Sequence, residues 1–151
     1  MAEHEHTPPN PLPSITALGM ALALAQLDYR RLDERTAGRG RTCTEQNTFR
    51  LLVDREQALE SLISVAPAAS LADVAVQIGV ASSYASILEC SDWSDPSTHE
   101  RLHELHTALN RITLSTLSVV AAAAGLDLAA MAWDDVDALR ASLFFGEETR
   151  A

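Results

Sequence analysis

The stretch Val74-Ala75-Val76-Gln77-Ile78-Gly79-Val80-Ala81-Ser82-Ser83-Tyr84-Ala85-Ser86-Ile87-Leu88 decides the fold: fifteen residues without a formal charge. Helical spacing places Leu71, Val74, Ile78, Ala81, Ala85 and Leu88 on one stripe, and Val76, Val80 and Ile87 on a second. A helix apolar on two faces is either central to its own fold or half of a subunit interface. Gly79 within it costs about 1 kcal/mol relative to alanine, which suggests a close backbone approach at that point. Ser70 and Asp73 provide an N-cap, and the helix is expected to run to about Cys90.

Working outward, Thr42 and Glu45 have capping-box spacing for a preceding helix that ends before Pro67. Its stripe is Phe49, Leu52, Leu59 and Ile63, interrupted by Glu56, with Arg50, Asp54, Arg55 and Glu60 assigned to the wet side. Before it, Ser14 caps a helix reaching about Arg35, with Ile15, Leu18, Leu22, Ala25, Tyr29 and Leu32 on one face. The break is Ala37-Gly38-Arg39-Gly40-Arg41. Downstream, Asp95 with Pro96 at the first helical position opens a fourth helix that closes at Gly125, a left-handed cap. Leu102, Leu105, Leu109, Ile112 and Thr116 form its stripe, and Ile112 to Leu126 is again fifteen residues without charge. Asp134 caps a short fifth helix with Val136, Leu139, Leu143 and Phe144 inward.

The expectation is an all-α fold, four-helix bundle-like with a short fifth C-terminal helix. Residues 1–12 read as a flexible tail, 13–145 as a single domain and 146–151 as a second tail. The uncharged stretches are expected to meet as a water-excluding centre. What they leave over predicts self-association or a protein partner, through Val76, Val80, Ile87, Val119 and Ala123. Trp93 and Trp133 are expected to plug bundle ends.

The stretch from Val53 to Ala81, with Ala58-Leu59-Glu60, Ile63 and Ala66-Pro67-Ala68-Ala69-Ser70-Leu71-Ala72-Asp73, resembles small helical proteins of alphaproteobacteria. In that group an acidic amphipathic helix enters a Pro-Ala-(Thr/Ser)-(Thr/Ser)-Leu-Ala-Gly turn and then an apolar helix. The match covers about a fifth of the chain. Asp73 stands where the group usually has glycine, and the group's basic residues in the second helix are missing. The resemblance implies a helical hairpin and a bacterial cytoplasmic setting, with no activity attached.

Charge narrows the function classes. The chain of 151 residues has a formal net charge of −10, and its eleven basic residues are all arginines. The densest basic cluster, Arg30, Arg31, Arg35, Arg39 and Arg41, is interleaved with Asp28, Asp33 and Glu34, which argues against nucleic acid, since phosphate binding needs unneutralised positive charge. Thr7 to Leu27 carries no charge, yet its helical part is shorter than the roughly 20 residues that span a bilayer. Glu3, His4, Glu5 and His6 stand where a secretory signal has basic residues. Cys43 and Cys90 are scattered, which suits a reducing compartment. The expectation is a cytoplasmic protein without a membrane span.

One string carries chemistry: His99-Glu100-Arg101-Leu102-His103. It matches HExxH, in which two histidines one helical turn apart hold zinc and the glutamate activates the bound water. His106 lies a turn further on as a third ligand. Against the zinc-hydrolase reading, the motif sits on the first turn of its helix, Arg101 lies inside it and Glu104 follows. No distant third ligand presents itself. The leading expectation is therefore no cofactor and no catalytic residue, with three histidines decorating a solvated helix start. The alternative is zinc on His99, His103 and His106 with Glu100 as the catalytic base.

Overall fold

A computed structural model describes residues 13–126. Helix accounts for 82% of them and no strand occurs among them, so the fold is all-α. Four helices follow in order: α1 (Ile15–Thr36), α2 (Cys43–Val65), α3 (Leu71–Cys90) and α4 (His99–Ala124). The expected tails, the fifth helix and Trp133 lie outside the described residues.

The ends form where local chemistry supplies partners for orphan backbone groups. Ser14 accepts from the Ala17 amide at the start of α1. The Thr42–Glu45 capping box closes the start of α2 in both directions. Ser70 caps α3 by accepting from the Asp73 amide. Asp95 caps a short 3-10 turn, Pro96–Thr98, and α4 proper starts only at His99. Gly125, at φ 68°, ends α4 in the left-handed region that glycine tolerates.

Short connections pair α1 with α2 and α3 with α4, and the two hairpins enclose one core. Its centre is Ile15, Leu18, Leu22, Ile63, Val80, Tyr84, Leu105, Ala108 and Ile112. The expected stripe of α1 is nearly all buried, Tyr29 only partly so; Tyr29 lies against the Phe49 ring, centroids 4.8 Å apart.

Three polar side chains tie the hairpins together. Gln77, fully buried, donates from Nε2 to the carbonyls of Ile63 (3.1 Å) and Ala66 (2.7 Å), satisfying the C-terminal end of α2. Ser115 on α4 accepts from the Ala68 amide in the α2–α3 turn at 2.6 Å. Asp73 accepts from the Thr16 amide and hydroxyl with Oδ1, and from the Ala69 amide and Ser70 hydroxyl with Oδ2. It therefore joins the start of α1 to the start of α3.

These contacts correct the expected face of α3. Its buried side is Asp73, Val74, Gln77, Val80 and Tyr84, whereas Leu71 and Ile78 are exposed. An apolar pattern overlooks Gln77 because its two Nε2 bonds to α2 carbonyls offset part of the cost of burial, although Oε1 is buried without a partner among the described residues. The uncharged stretches do not merge into a water-excluding centre. In the most apolar part of α3 only 28% of residues are buried. Each stretch gives one face to the core and turns the remainder outward.

The close approach falls at Gly19, and not at Gly79 as expected. A Cβ on Gly19 would lie 2.7 Å from both γ-methyl groups of Val76, while one on Gly79 meets nothing within 4 Å. The β-branched Val76 side chain is stiff and yields poorly. Gly19→Ala is therefore expected to destabilise by roughly 1–3 kcal/mol. Gly79→Ala is expected to stabilise by about 0.5–1 kcal/mol through helix propensity. Urea denaturation of both variants checks the pair.

Candidate functional sites

The three histidines are brought together. Trp93, His99, His103 and His106 line an open depression of about 430 Å³ at the start of α4. A carbonyl only accepts, so His99 Nε2 donates to the Trp93 carbonyl, at 2.8 Å. That bond makes Nε2 the protonated nitrogen and leaves the lone pair of His99 on Nδ1. Glu100 is exposed and does not line the depression. Among the described residues no group of three or more His, Cys, Asp or Glu side chains is placed to hold a metal ion. The spacing puts imidazoles on one face, but nothing draws them to a common point. Trp93 is no plug: it is 53% exposed and donates from Nε1 to the Leu88 carbonyl.

A second site was not expected. Glu60, assigned to the wet side of α2, is only 7% exposed. It lines a groove of about 320 Å³ between α1 and α3, walled by Gly19, Ala23, Ala75 and Gly79, with Gln26 and Ser83 as polar neighbours. Glu60 makes no hydrogen bond among the described residues. Burial pushes its carboxyl up to about 7; Glu56, one turn earlier, adds to the rise, and Arg101 offsets part of it. Tyr84, behind it, is pushed up to about 12 by burial and then by Glu60. The signal was present in the sequence: Glu56 interrupts the apolar stripe, and Glu60 lies one turn on beside the same face. Glu56 itself accepts from Gln26 Nε2 at 2.9 Å.

Three of the five arginines in the cluster are ion-paired. Arg39 makes a two-pronged ion pair with Glu45, holding that carboxyl at about 2. Arg41 pairs with Asp33 and stacks 3.9 Å over the Phe49 ring; Arg31 lies 3.7 Å from Asp28. Cys43 is the first residue of α2; it and Cys90 are exposed and free.

Of the expected interface residues, Val80 is 2% exposed and belongs to the core, a correction that follows from the α3 face above. Val76 is half-buried against Gly19 and Val119 is also half-buried, whereas Ile87 and Ala123 are exposed. The helices Leu71–Cys90 and Pro96–Ala124 are long and apolar enough to cross a membrane by length and composition.

These features define an all-α protein with a solvated histidine cluster and a carboxyl-floored groove. No protein-family model matches the chain, and neither the curated proteins nor the solved structures give a significant match.

Proposed function

We propose that this is a non-enzymatic interaction or regulatory protein of the bacterial cytoplasm that self-associates through the outward apolar faces of its helices. In this reading the core is four-helix bundle-like, and residues from Asp134 form a short fifth helix beside it. The observation that carries the reading is the outward placement of large apolar side chains within stretches that lack charge. Met20 (67% exposed), Leu24 (59%), Ile78 (54%) and Ile87 (44%) are the leading examples. Single exposed hydrophobics are ordinary, but several on helices without flanking charge mark an interaction surface. A cytoplasmic setting is favoured over a membrane span because Asp73 and Gln77 of α3 hydrogen-bond to α1 and α2 within the chain.

Light scattering behind size-exclusion chromatography of the full chain tests the reading. A dimer or larger assembly is expected, and the double variant Leu24→Glu/Ile78→Glu should shift it to monomer. A wild-type monomer, or recovery only from the membrane fraction, would overturn it. Stoichiometric zinc that disappears in His103→Ala would favour the hydrolase reading instead.

A further inference from the structure

We propose that the groove between α1 and α3 is a binding site for a small protonated alkylamine, its ammonium seated on Glu60 and its chain lying along the Gly19, Ala23, Ala75 and Gly79 walls. Three observations meet there. The cavity, at about 320 Å³, lies at the small end of the range for ligand sites. Its floor holds Glu60, a residue more than nine-tenths buried whose carboxyl has no hydrogen-bond partner among the described residues and keeps contact with the open side of the groove. A buried carboxylate left unpaired is costly, and the arrangement is completed by a cation that brings its own donors.

The charges around Glu60 favour a cation and supply none at bonding distance. From its own helix Glu56 adds negative charge, and from α3 Tyr84 faces it as a neutral phenol. From α4 Arg101 exerts only a partial offset, its ion-pair partner being Glu104 at 3.4 Å. From α1 the polar neighbour is the uncharged Gln26. An ammonium has three donors and no acceptor, which suits the Glu60 carboxylate with the Ser83 hydroxyl near it. The apolar walls suit a short alkyl chain. A second copy cannot fill the groove with a lysine, because the chain contains none. The proposal commits to a separate small amine, and the site stands whether or not the protein self-associates.

The test follows backbone amide NMR shifts of the full chain as n-butylammonium chloride is added at pH ~8, where Glu60 is ionised. Saturable shifts are expected at Gly19, Ala23 and Gly79. Binding should weaken about tenfold or more with uncharged n-butanol, in Glu60→Gln, and in wild type at pH ~5.5. Gly79→Leu, which keeps Glu60 but fills the groove from a position with open space around it, should abolish the shifts. The same spectra show whether each variant is folded. Absence of saturable shifts, or an equal response from n-butanol or from Glu60→Gln, would overturn the proposal.

Discussion

Glu60→Gln is expected to stabilise the protein above pH ~8 by of order 3 kcal/mol, and to change its stability little below pH ~4.5. The carboxyl is pushed from an ordinary 4.5 up to about 7 by burial first and by Glu56 second. A raised carboxyl binds more protons folded than unfolded, so wild-type stability falls as pH rises from about 4.5 through about 7. Above that window the folded state carries the whole cost of an ionised, unpaired carboxylate. Glutamine matches the shape of the neutral acid and never ionises. Urea midpoints measured across pH should therefore converge at the acid end and separate at the alkaline end. Parallel curves would show that Glu60 titrates as an exposed residue.

Asp73→Ala is expected to cost about 3 kcal/mol or more at neutral pH, because one carboxylate serves four donors from three residues in two segments. Burial alone would raise this carboxyl, but the bonds from Thr16, Ala69 and Ser70 together hold it below its ordinary 3.8. The sign is opposite to that of Glu60. The stabilisation is present above the ordinary value and is lost as pH falls through the depressed one. Asp73→Asn should lie between, since one oxygen is replaced by a donor facing the Ala69 amide and Ser70 hydroxyl. Amide exchange should show the variants loosening first at the start of α1, where the Thr16 amide loses its acceptor. Loss confined to α3 would mean that Asp73 is only a local cap. With Glu45 held at about 2 on the same side, wild-type stability is expected to peak near pH ~4.5.

The helices and their ends were legible in the residues themselves. Capping at Ser14, Thr42 with Glu45, Ser70 and Gly125 depends on groups within four positions of one another, so local spacing was enough. The buried face of α1 was legible for the same reason, its apolar repeat being regular and unbroken by charge. The three histidines were found together because i, i+4 and i, i+3 spacing on a helix is a local matter too.

Only the tertiary structure decided which side of α3 faces inward, where the helices come closest, and that Glu60 is buried. Each depends on a group distant in sequence: α2 carbonyls for Gln77, the Val76 methyls against Gly19, the α1 and α3 walls over Glu60. Hydropathy ranks a side chain by its cost in isolation, whereas the fold assigns it by the partners and space it meets. Polar residues entering a core therefore escape a periodic reading, and in this chain they set both the packing of the hairpins and the chemistry of the groove.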